Sequence, residues 1–168
     1  NVFTEEKLSN ELIRIMDFTV KTYKKLLLSI KNSKYKFHAF EDFIINPREK
    51  VVILRHDVDK HPENSLEFAK VQNSFGIKGT YYFRITPESF NESIIIEIAK
   101  LGHEIGYHYE TIDTIVRRVK NQKLQYTNQN LIDAAYAEFC KNLETFRRIV
   151  RIKTISMHGS PLSKYDNR

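Results

Sequence analysis

Two hydrophobic rhythms alternate along this chain: the 3.6-residue period of an amphipathic helix, and compact β-branched runs that suit a buried strand. Thr19 stands where an N-cap belongs for a helix over residues 20–30, in which Tyr23, Leu26, Leu27 and Ile30 fall at helical spacing. A short extended run over 35–39 follows. The β-branched composition of Val51-Val52-Ile53-Leu54 then predicts a buried parallel strand over 51–54. Pro62 opens a helix that closes at Gly76 and carries Leu66, Ala69 and Val71. The next strand is expected over 79–84 (GTYYFR). Asn91 begins another helix, whose Ile94, Ile95, Ile98 and Leu101 make one face before Gly102 stops it. Residues 103–108 (HEIGYH) predict a third strand. A long helix over 128–149 carries Leu131, Ala135, Phe139, Leu143 and Phe146, and a fourth strand is expected over 152–157.

Strands alternating with helices in this way imply an α/β architecture with parallel strands. The segments 51–54, 80–83, 105–107 and 153–157 should be parallel neighbours whose carboxyl ends share one rim. A length of 168 residues, with no repeat, low-complexity tract or linker, suits a single domain over 1–168. Hydrophobic content of 41% and charged content of 29% are those of a soluble globular chain. No apolar stretch is long enough to cross a bilayer and no signal pattern opens the sequence, so a cytoplasmic address is expected. One cysteine, Cys140, excludes an internal disulfide and a thiolate metal cluster, and reads as a buried structural thiol. The net charge of +6 is scattered over pairs such as Lys24-Lys25 and Arg117-Arg118. Without a basic stripe interleaved with aromatics, these read as solvated helix faces, and no nucleic-acid partner is expected.

In parallel α/β folds the reactive groups gather at the carboxyl ends of strands. Three of the expected ends carry potential metal ligands: Asp57 and Asp59 after the first, His108 on the third, His158 after the fourth. Side chains two apart share a face of a strand. Arg55, Asp57 and Asp59 therefore point one way and His56 the other. Glu104, Gly106 and His108 share a face that Glu110 would extend, and Thr154, Ser156 and His158 share another that is small and polar. Two carboxylates with imidazoles can hold a divalent cation and leave one carboxylate free as a base. If so, the ligand atoms of Asp59 and His108 come within about 4 Å of each other. His103 faces away and reads as structural. His38 and His61 have no constellation around them. Tyr81, Tyr82 and Tyr107 read as packing groups, Tyr107 being the one that could reach the mouth of the site.

Asp57-Val58-Asp59 at a strand end, followed by GTYYF and then Gly102-His103-Glu104-Ile105-Gly106-Tyr107-His108, resembles the polysaccharide deacetylase family, carbohydrate esterase family 4. The likeness runs from about Val51 to His108, and its motifs match in order and spacing. The usual first motif, T-F-D-D-G, is replaced in some members by D-x-D, as here; the second is usually G-H-E-I-G-N-H-T-x-x-H. The resemblance implies a distorted parallel barrel with outer helices and a metal-dependent hydrolase that removes acetyl groups from an N- or O-acetylated sugar in a bacterial surface polysaccharide or its precursor. By position Asp57 would be the catalytic base, and Asp59 and His108 would be metal ligands, with zinc the expected ion.

The chain departs from the family pattern at three places. The family's second metal histidine, four residues after the first, is here Ile112. His158 is the first choice to replace it and Glu110 the second, the alternative for Glu110 being a partner for Arg117 or another surface base. The arginine-containing third motif is replaced by Met157-His158-Gly159-Ser160-Pro161, and Arg55 is expected to orient the base in its place. The sequence stops at Arg168, ahead of the strand that would bring the family's acid histidine, so the barrel is read as incomplete there. The acid is then His158, where it is not a ligand, or a residue beyond Arg168. Two other readings use the same residues: a glycan-binding module that has lost catalysis, and a cyclic amidase with a narrower pocket.

Overall fold

A computed structural model describes residues 19–122, 125 and 127–159. The described chain falls into two compact units, one ending at Lys36 and one beginning at Phe37. The first holds helix α1 (Val20–Asn32), where Thr19 caps the amino end by accepting from the Thr22 amide at 3.1 Å.

The second unit is a mixed α/β structure. After α1 the order runs from β1 (Lys36–His38), which begins at the last residue of the first unit, through α2 (Phe40–Ile45), β2 (Val51–Ile53), β3 (Arg55–Val58), α3 (Pro62–Ser74), β4 (Thr80–Phe83), α4 (Glu92–Lys100), β5 (Glu104–Tyr109), α5 (Thr111–Asn121) and α6 (Asn128–Arg147) to β6 (Ile155–Met157). Strands β3, β4, β5 and β6 form one four-stranded sheet in chain order, and every neighbouring pair is parallel. Each connection between neighbours carries at least one helix, as a parallel crossover requires.

One expected neighbour is different. Residues 51–53 do not pair with β4. Strand β2 joins β1 in a separate two-stranded sheet, and the partner of β4 is β3, starting with Arg55 opposite Thr80. The chain breaks at Leu54, whose carbonyl accepts from the Thr80 amide at 2.9 Å. The apolar run reads as a buried parallel strand, yet Val51–Ile53 is only half-buried. Helices α2 and α5 were not expected from the sequence either. α2 is one short turn and a half without a side-chain cap, and α5 begins directly after β5 with no turn signal between.

The alternation of side chains gives the sheet two unlike faces. Val58, Tyr81, Phe83, Ile105 and Tyr107 point into a core completed by Ala69, Ile95, Ile98, Phe146 and Ile152 from the helices and the approach to β6. Full burial of side chains of this size, each contributing about 1.5–3 kcal/mol, is the main force holding helices to sheet. The other face is polar and filled. Thr80 Oγ1 donates to Glu104 Oε2 at 2.8 Å, Thr154 donates to the other oxygen of Glu104, and Tyr82 OH donates to Thr154 Oγ1 at 3.1 Å. The first amides of α2 close this layer from below: Phe40 N donates to Thr80 Oγ1 at 2.8 Å and Glu41 N to Glu104 Oε2 at 2.9 Å.

Tyr82 lies across β5 because Gly106 has no side chain. A Cβ there would stand 2.2 Å from the Tyr82 ring. On the core side Gly79 gives the same room to Gln72, whose Oε1 would be 2.4 Å from a Cβ. Gln72 is fully buried and satisfied: it accepts from Tyr81 OH at 2.9 Å and donates to His56 Nε2 at 2.6 Å.

Candidate metal centre

Asp57 is the third residue of β3 and shares the polar face with Arg55, as alternation requires. Arg55 grips it at two points, Nε to Oδ1 at 2.7 Å and Nη2 to Oδ2 at 2.8 Å. The guanidinium is held in turn by the Ser156 hydroxyl on β6 and lies 5.1 Å over the Tyr82 ring. The hydrogen bonds to Asp57 raise the Arg55 pKa above its ordinary value, so it is charged throughout. Asp57 remains 36% exposed and is open to solution at the rim.

Asp59, two residues on, lies past the end of β3. Its carboxylate is half-exposed, yet Oδ1 is buried and accepts no hydrogen bond among the described residues. Two imidazoles face that atom, His158 Nδ1 at 3.2 Å and His108 Nε2 at 3.9 Å, and the two ring nitrogens are 3.2 Å apart. His108 is buried on β5 and its other nitrogen, Nδ1, donates to the Ser156 carbonyl at 3.1 Å. That bond fixes the tautomer and leaves the Nε2 lone pair directed at the group. Burial lowers the His108 pKa, against the opposing pull of Asp57, and so favours the neutral ring that ligation needs.

Asp59, His108 and His158 thus form a group able to hold a metal ion, each offering one ligand atom within 4.8 Å of the others. Ligand atoms each about 2 Å from a shared ion stand about 3.3 Å apart in a tetrahedral site, close to two of the three separations. The buried, unbonded Oδ1 and the mixed oxygen and nitrogen donor set both fit a divalent cation. Asp57 stands beside the group with Oδ2 3.8 Å from His108 Nε2.

The remaining residues fall elsewhere. Glu110, the alternative third ligand, is outside the group; its carboxylate is buried between Arg84 and Arg117, the latter at 2.8 Å. Ile112, in place of a histidine, lines an apolar cleft of about 310 Å³ with Ile132, Tyr136 and Ile155. His103 is structural, its Nδ1 accepting from Gly79 N at 2.9 Å and its Nε2 donating to the Ala69 carbonyl at 3.0 Å. Tyr107 does not reach the mouth. It points into the core, where its hydroxyl accepts from Asn142 Nδ2 at 2.9 Å, because its parity on β5 is opposite to that of His108. Cys140 is half-buried on α6. Arg84, at the carboxyl end of β4, is a charged group of the site that sequence reasoning passed over, with Nη1 3.8 Å from Asp59 Oδ1. The strand-end rule that found the ligands applied equally to the last residue of GTYYFR.

Fold and site define an α/β protein with parallel strands and a three-residue candidate metal centre at the strand ends. Comparison with models of protein families, with characterised proteins and with solved structures finds no match in any of the three. No helix among the described residues is long and apolar enough to cross a membrane.

Proposed function

We propose that this protein is a zinc-dependent hydrolase of the polysaccharide-deacetylase kind, built on that family's distorted barrel and removing an acetyl group from an N- or O-acetylated sugar of a bacterial surface polymer or its precursor. The observation that carries the reading is the meeting of Asp59, His108 and His158 at one point, with a second carboxylate, Asp57, beside them. The substrate class rests on the resemblance of the Asp57–Asp59 and Gly102–His108 motifs.

Asp59, His108 and His158 would hold the ion, which when bound supplies Lewis acidity toward an acetyl carbonyl and lowers the pKa of water. Asp57 is the base. Arg55 occupies one lone pair on each of its oxygens, and a carboxylate has further lone pairs to accept a proton from the attacking water. The two-point grip fixes the plane of that carboxylate, and Ser156 and the Tyr82 ring fix the guanidinium. Ser156 also orients His108 through its carbonyl, so one residue of β6 positions both base and ligand.

The test separates these roles. Asp57→Asn keeps the shape and one of the two hydrogen bonds from Arg55, accepted by the amide oxygen, but removes the proton acceptor. It should bind zinc normally and lose at least about a hundredfold in kcat on an acetylated sugar. Loss of zinc together with activity would make Asp57 a ligand. If the zinc-loaded wild-type protein releases no acetate from a panel of acetylated glycans, the glycan-binding reading takes its place.

A further inference from the structure

We propose that Glu110 sets the strength with which the Asp59–His108–His158 group takes a divalent cation, by neutralising Arg84, which otherwise competes for the same carboxylate. The inference rests on reading that group as a metal centre, and concerns its charge.

Arg84 leaves the end of β4 with only 16% of its side chain exposed. Its Nη1 stands 3.8 Å from Asp59 Oδ1, beyond hydrogen-bonding distance, so it acts on Asp59 through charge and not through a bond that would fix its position. Nη2 pairs with Glu110, and Nε is buried without a hydrogen-bond partner among the described residues. The oxygen that Arg84 faces is the one His158 and His108 approach. A guanidinium and a dication are therefore rivals for one buried atom, and in surroundings drier than water their mutual repulsion is strong.

The charge count decides what the site can hold. With Asp57 paired to Arg55, Asp59 and Arg84 alone cancel, leaving only the two imidazoles, a poor site for a dication. Glu110 restores a net negative charge. It is 6% exposed as a side chain, and its second oxygen is taken by Arg117, which is 66% exposed and so screened by solvent. Glu110 thus acts from outside the ligand set, as a counter-charge to the residue behind Asp59.

Zinc titration of the full chain by competition with a chromophoric chelator, with circular dichroism as the folding control, tests this. Glu110→Gln should weaken zinc binding by at least about tenfold, and Arg84→Met should tighten it by a similar factor. The double variant, which has the wild-type charge balance, should return to within a few-fold of wild type. Opposite shifts with restoration support the proposal. If Glu110→Gln fails to fold, the Arg84→Met and double variants decide. Weakening in both single variants, or no change in either, overturns it and leaves Arg84 and Glu110 a structural pair. A wild-type protein that takes up no zinc overturns the metal reading itself, and this inference with it.

Discussion

His56 and Asp57 are neighbours in the chain and face opposite sides of the sheet, and their environments differ accordingly. His56 stacks on Tyr81 with ring centroids 4.4 Å apart and accepts the Gln72 amide on Nε2. Burial, with the nearby His103 adding to it, lowers its pKa to about 4. Above the unfolded value near 6.5 neither state is protonated and stability is full. As the pH falls from there toward 4 the unfolded chain takes a proton that the native one refuses, and stability drops by at most about 3 kcal/mol. His103, lowered by burial as well, acts in the same direction. Denaturant unfolding at steps between pH 7 and 4.5 should show that slope. His56→Phe should be less stable at pH 7, with the Gln72 amide losing its bond to His56, and should flatten the slope; an unchanged slope would clear His56 of the effect. At this scale the sequence was most informative for Asp57, Asp59, His108 and His158, because strand parity and strand ends follow from chain position alone. It was silent on Arg84 and on the second task of Ser156, since both depend on which strands become neighbours.

Elements with capping residues were legible. Thr19, Asn91 and Thr127 each accept from an amide three residues on and start α1, α4 and α6. Asn91→Ala should cost about 1 kcal/mol in denaturant unfolding. Elements that lean on tertiary contacts were not legible. α5 buries Thr111, Asp113, Ile115 and Val116 but follows β5 without a break, and nothing in the composition of residues 51–58 announces the change of sheet at Leu54. Gly106 belongs to this scale too, because it sets how closely β4 side chains cross β5. Gly106→Ala would push its new methyl into the Tyr82 ring and toward the Thr154 carbonyl, 3.1 Å away. A loss of about 1–3 kcal/mol is expected. Tyr82 is also the platform beneath Arg55, so under the proposed hydrolase reading the variant's kcat should fall even where it remains folded. Full stability and activity in Gly106→Ala would show that Tyr82 has room to move.

Across the whole sheet, β3 and β6 are separated by two strands, about 14 Å in a flat arrangement. Yet Arg55 reaches Ser156, and Asp59 Oδ1 lies 3.2 Å from His158 Nδ1. The sheet is therefore curled toward its polar face, and the candidate centre lies where the first and last strands approach. A cation bound there should stabilise the native state by mass action, by about 2.7 kcal/mol at a hundred times its dissociation constant. Thermal unfolding should shift upward with added zinc in the wild type and not in Asp59→Ala. A shift in that variant equal to the wild type's would remove Asp59 from the ligand set. The curl also orders events during synthesis. A ribosome that has delivered β5 has released Asp59 and His108 but neither Ser156 nor His158. At that stage Arg55 has the Tyr82 ring beneath it but not the Ser156 hydroxyl, and the outer edge of β5 has no neighbour. Only when β6 emerges and docks do the tautomer of His108, the Ser156 hold on Arg55 and the third candidate ligand arrive together, so the candidate centre is assembled in a single step.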